Sequence, residues 1–234
     1  MSQSNEWMLR WLPASLVGGI PGRDCAEVFC SLSLEIEDAH FPSEGSEESE
    51  VCGAGGDVEK CFDTIPSDIA HWTLRALGMN ERIVRPLEGF YKNLSSRLLL
   101  NGAVGPPRCR QRGAFQGDPL AMLKLNAIMA PVAWSISAIP DVRYWQYCDD
   151  PLIIARIRHG PVRVQEAVSL LERFLLICRQ NASAKKSYAF AASSHQREEI
   201  ASTRFFKGFI PVHNAHRVLG AHAHFTGLHQ RHPY

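Results

Sequence analysis

The chain lacks any apolar run approaching the ~18 residues that a membrane span requires. Its first residues, MSQSNEWMLRWLP, lack the basic stretch and apolar core of a secretory signal. The default expectation is therefore an intracellular protein, in nucleus or cytoplasm, with no membrane partner. Cysteine occurs without a pattern: the seven residues are odd in number, scattered, and include no C-x-x-C pair. That argues against a disulfide framework and against a cysteine zinc site, and the thiols read as reduced. No internal repeat is visible, which sets solenoids and propellers aside.

What is present is ordinary in amount and uneven in distribution. An apolar content of 45% over 234 residues suits one large globular domain or two small ones. Residues 35–50, EIEDAHFPSEGSEESE, carry seven acids and no Lys or Arg, and read as a solvated acidic loop. Setting those seven aside from 24 acidic residues against 25 basic ones leaves the rest with a surplus of eight positive charges. Residues 92–112 show the opposite bias, with Lys92, Arg97, Arg108, Arg110 and Arg112 and no acid, a composition suited to a phosphate backbone.

Periodicity predicts strand, helices, hairpin, helix, then strands. GDVEKCF reads as a short strand, and Pro66-Ser67-Asp68 starts a helix with Ile69, Trp72, Leu74 and Leu77 on its apolar face and Gly78 as its stop. A second helix begins at Asn80 and carries Pro86. RLLLNG and RCRQRG read as paired strands, and residues 118–138 as a helix with Pro119 in its first turn. RYWQYCDDPLIIAR is a hairpin with two carboxylates at its tip, and residues 161–179 form a helix. KSYAF, FFKGFIPV and HRVLGAHAHF read as strands extending the same sheet. This order predicts an α+β domain, an antiparallel sheet backed by helices.

Singly, Asp57 reads as a turn residue and the Asp149-Asp150 pair as a tight turn. Together, on neighbouring strands, the three carboxylates would repel one another unless a cation lay between them. Oxygen ligands without histidine or cysteine favour Mg²⁺, which keeps water and substrate phosphates in its octahedron, a site for phosphoryl or nucleotidyl transfer. Six histidines crowd the last 22 residues, but no cysteine and no second ligand pair at a zinc spacing accompany them, so a zinc reading is set aside.

GGDVEKCFDTI, RGAFQGDPL and YCDD, in that order, resemble palm motifs A, B and C of reverse transcriptases, most closely those of non-LTR retroelements and group II introns. GGIPGRDCAEVF resembles the segment before motif A, AKKS resembles motif D and RVLG motif E, so the resemblance covers roughly residues 17–225. It implies a right-hand polymerase palm with part of the fingers: 1–34 partial fingers, 35–50 the acidic loop, 51–225 the fingers and palm core, 226–234 a tail. It also implies an RNA template, a DNA primer and deoxynucleoside triphosphates as partners. Asp57, Asp149 and Asp150 would hold two Mg²⁺ (or Mn²⁺) ions about 4 Å apart. Phe62 would lie beneath the sugar of the incoming nucleotide, leaving no room for a 2′-hydroxyl; Gln116 and Gly117 would pack against the nucleotide; Lys186 would donate a proton to pyrophosphate. Asp63 is left as a cap or turn residue.

The sequence also departs from the family pattern. Pro151 cannot donate a backbone N–H to the hairpin, and Ala121 stands where motif B commonly has serine. Fingers strands before GGIPGRD and a thumb after RVLG have no counterpart, so a truncated fingers-and-palm piece is expected. Two readings stay open: a reverse transcriptase core, or a catalytically silent relic that at most binds nucleic acid. A palm-type nucleotidyltransferase or cyclase would share the metal logic but leaves Phe62 and Gln116-Gly117 unexplained.

Overall fold

The segment CGAG makes a poor strand by propensity, yet it forms the central strand β1 (Cys52–Gly55), because its neighbours need the space. A Cβ on Gly53 would stand 2.4 Å from the Ile153 carbonyl oxygen, and one on Gly55 would stand 2.4 Å from the Tyr188 ring. In the computed structural model, residues 3–41, 50–109, 112–115, 117–205 and 208–226 are described. In chain order, α1 (Gln3–Trp11) and α2 (Cys25–His40) precede β1. Then come α3 (Cys61–Thr64), α4 (Ser67–Ala76), α5 (Glu81–Asn93), β2 (Ser95–Ser96), β3 (Leu99–Leu100), β4 (Ala103–Val104) and β5 (Arg108–Cys109). α6 (Ala121–Ser137), β6 (Val142–Tyr147), β7 (Asp150–Ala155), α7 (Gly160–Ile177), β8 (Tyr188–Ala191), α8 (Ser194–Ser202), β9 (Ala215–Val218) and β10 (Ala221–His224) follow.

The main sheet runs β6-β7-β1-β8, antiparallel throughout. Both faces are covered, which explains why the LIIA run of β7 is buried at every position. Ile153 and Ala155 join a core with residues of α4, α6 and α7, while Leu152 and Ile154 join Val28, Leu32 and Ile36 of α2 and Phe225 on the other face. The expected α+β architecture, an antiparallel sheet backed by helices, is the one observed.

Several local expectations are corrected. The strand lies before Asp57 and not across GDVEKCF: Lys60 adopts φ 47°, and Cys61–Thr64 turns into α3. Residues 35–40 are the last turns of α2 and not part of a loop, because Leu32, Ile36 and Ala39 continue its apolar face. Glu35 is buried there and pairs with Arg143 and Arg156, and Arg156 also reaches Asp38 at 3.0 Å. Trp72 is exposed, and α4 instead buries Ala70, His71, Thr73 and Leu74. RLLLNG pairs with AV across its own turn, β3 with β4, while RC pairs with Ser95-Ser96. Among the described residues, β8 joins the main sheet as a strand and Val212 of FFKGFIPV adds a parallel bridge to its Ala189, whereas β9 and β10 form a separate hairpin. Pro119 precedes α6 and is not part of it. α8, which carries a Ser193 cap, was not foreseen.

Candidate active site

Hydrogen bonds continue the β1 and β7 ladder past the end of β1. The Gly56 N–H donates to the Pro151 carbonyl at 3.1 Å and the Val58 N–H to the Asp149 carbonyl at 2.9 Å. The register that pairs Gly55 with Leu152, carried two residues further, sets Asp57 opposite Asp150. The tip between β6 and β7 turns at Cys148, φ 54°, and is braced from behind. The Gln146 side-chain amide donates to the Cys148 carbonyl at 2.7 Å, and Gly18 lies so close that a Cβ would stand 2.5 Å from Cys148 N. Pro151 removes no rung of this hairpin. Gln146, its partner in register, directs its backbone N–H and C=O to Ser15 and Val17, at 2.8 and 2.9 Å.

All three carboxylates are half-buried. Burial first, and then the charges of Asp149 and Asp57, push the Asp150 carboxyl up to about 6 against the opposing charge of Lys186. The AKKS loop docks on the Asp57 backbone: the Ser183 N–H donates to the Asp57 carbonyl and the Glu59 N–H to the Asn181 carbonyl, each at 2.8 Å. This carries the Lys186 ammonium to 2.8 Å from Asp57 Oδ1, and that hydrogen bond raises the lysine's pKa. Among the described residues, no three His, Cys, Asp or Glu side chains are gathered into a metal-holding cluster. The donor set nonetheless fits a hard divalent cation, since it consists of carboxylate oxygens whose mutual repulsion already draws in one ammonium.

Phe62 lies on α3, partly buried against the core. The backbone beside it holds the next segment: the Ala114 N–H donates to the Phe62 carbonyl at 2.6 Å and the Gly113 N–H to the Ile65 carbonyl at 2.8 Å. Gly113 has φ +90°, and a Cβ there would stand 2.6 Å from the Asp63 carbonyl oxygen, so this close approach requires glycine. Gly117, φ +87°, is exposed nearby in sequence; Gln116 lies outside the described residues. Lys92, Arg97, Arg108 and Arg112 are exposed, and Arg110 lies outside the described residues.

A cavity of about 550 Å³ opens between the carboxylates and the β9–β10 hairpin, lined by Asp57, Asp150, Lys185, Tyr188, His216 and Arg217 among others. RVLG supplies the turn of that hairpin, where Leu219 and Gly220 have φ 48° and 91°. His216 lies 4.0 Å from the Tyr188 ring and 4.9 Å from the His213 ring, tilted by about 30° to each. Sequence reasoning missed Gln146 and Lys124, although each leaves a trace: a polar residue at an inward position of a strand, and a lone lysine within AMLKLNAIMA.

The sequence model of the reverse transcriptase (RNA-dependent DNA polymerase) family matches residues 10–221. A retrovirus-related Pol polyprotein from the type-1 retrotransposable element R2 of Popillia japonica is 23% identical over 186 residues, which cover 74% of this chain and 26% of the polyprotein. Apo telomerase from Candida tropicalis, truncated from its C-terminal domain, superposes with a TM-score of 0.59 at 13% identity over 82% of this chain and 38% of that one. Telomerase from Candida albicans in complex with a TWJ fragment of telomeric RNA gives 0.59 at 13% over 79% and 33%. The chain thus spans about a quarter to two fifths of the length of these relatives.

Proposed function

Since this chain belongs to the reverse transcriptase (RNA-dependent DNA polymerase) family, we propose that it extends the 3′-hydroxyl of a DNA primer with deoxynucleotides along an RNA template. The observation that carries the reading is the register that sets Asp57 opposite Asp150, next to Asp149, with the charges of Asp149 and Asp57 adding to burial in raising the Asp150 pKa. Reverse transcriptases generally use divalent metal ions. In this reading Asp57 and Asp149, with Asp150 in support, hold Mg²⁺ (or Mn²⁺), and the bound ions supply activation of the primer hydroxyl and neutralisation of the triphosphate.

The chain's own residues do the rest. Lys186, protonated beside Asp57, keeps a proton for the departing pyrophosphate. Phe62 fills the space a 2′-hydroxyl would need, and Gly117 lets backbone approach the nucleotide, with Gln116 beside it. Lys92, Arg97, Arg108, Arg110 and Arg112 attract the phosphate backbones of primer and template. Residues 1–34 act as the partial fingers and residues 51–225 as the fingers and palm core.

The test is primer extension on an RNA template with Mg²⁺. Extension by the wild type that vanishes in Asp149→Asn supports the proposal; extension that survives Asp149→Asn refutes it. A second reading, nucleic-acid binding without turnover, is favoured by the Lys186 to Asp57 ion pair, which occupies an oxygen a metal would need. It is the outcome if binding is present and extension absent in every variant.

A further inference from the structure

Lys124 lies inside α6 with 1% of its side chain exposed, the one charged residue of that helix. An ammonium so placed is costly unless paired, and its partners are specific. It stands 2.6 Å from Asp118 Oδ2 and 3.4 Å from the centre of the Tyr91 ring. The Tyr91 hydroxyl donates to the same carboxylate oxygen and accepts the Phe115 N–H at 3.2 Å, while Asp118 Oδ1 accepts the Leu120 N–H at 2.9 Å. Phe115, through the Tyr91 hydroxyl, and Asp118 directly are therefore both tied to one buried charge. The preceding Gly113-Ala114 pair is tied to the Phe62 and Ile65 carbonyls.

We propose that Lys124 is a positioning residue for the incoming deoxynucleoside triphosphate, holding Asp118 and Tyr91 and through them the 113–118 loop beside Phe62. This rests on the reading of Phe62 and Gly117 as nucleotide contacts. The loop serves binding rather than bond-making, so loosening it weakens the nucleotide ground state and transition state alike.

The experiment pairs amide hydrogen exchange on the chain alone with deoxynucleotide KM and kcat in primer extension. Lys124→Met is one variant. Lys124→Met with Asp118→Leu is the second, because an apolar pair commonly replaces a buried ion pair without loss of the fold. In both, exchange at Phe115, Asp118 and Leu120 should accelerate at least about tenfold while Ile153 and Ala189 in the sheet stay protected. KM should rise about tenfold with kcat changing less than about threefold. Unchanged exchange at the three amides in the double variant, or a fall in kcat at constant KM, overturns the proposal. Accelerated exchange in a chain whose wild type extends no primer supports the anchor and overturns the nucleotide role, so the two failures are separable.

Discussion

Phe62 and His71 each lead to a prediction about one side chain. If the Phe62 ring excludes a 2′-hydroxyl, Phe62→Ala should admit ribonucleotides while deoxynucleotide use persists. Steady-state incorporation of each sugar form checks this, and unchanged discrimination removes the role. His71 is buried, packs edge-on against Tyr91 at 5.8 Å, and has its pKa lowered first by burial and then by Lys124. The folded state therefore prefers the neutral ring, whereas the unfolded chain titrates near ~6.5. Its contribution is complete above that value and is lost as pH falls below it toward the depressed folded value. Wild type should lose thermal stability relative to His71→Phe between about pH 7.5 and about pH 5.5. A difference in Tm that is constant with pH would refute this. The periodicity of α4 did not disclose His71, because it favoured the exposed Trp72; burial was decided by α5 and α6 packing on the other side.

Among the elements, the β6–β7 hairpin shows how a turn is held by a segment distant in sequence. Gly18 presses on Cys148, so Gly18→Ala forces a Cβ within 2.5 Å of a backbone nitrogen. Overpacking of that kind costs about 1–3 kcal/mol, a Tm lower by roughly 3–10 °C for a chain of this size. Gly89 in α5 is the control: nothing lies within 4 Å of its added Cβ, so Gly89→Ala should raise stability by about 0.5–1 kcal/mol. Thermal melts of the two variants decide the matter, and equal shifts would refute the brace. The hairpin, α5 and α7 were legible because each carries its own period and punctuation. β1 and the β9–β10 hairpin were misjudged because a strand's length and sheet partner depend on which other strands reach it.

For the whole molecule, the net charge of +1 conceals an uneven distribution of charge. Acids of α2 are taken up by Arg143 and Arg156, while Lys92, Arg97, Arg108 and Arg112 stand exposed around β2 and β5. If about three of the five cations between 92 and 112 meet duplex phosphates, log K against log salt should slope at roughly −3, and each removed contact should lessen the slope by about 0.9. Filter binding at several salt concentrations tests this, and binding indifferent to salt would refute the patch. The sequence by itself determined the fold class, the β6–β7 hairpin with its carboxylates and the motifs that mark the family, because these depend on local spacing and residue chemistry. Tertiary structure alone decided that Lys186 meets Asp57, that Gly18 and Gln146 brace the Cys148 turn, and that Lys124 anchors the loop beside Phe62. Each of those contacts joins residues that no short-range periodicity relates, and each is selected by burial, which makes an unpaired charge or an extra Cβ costly only once the chain has closed around it.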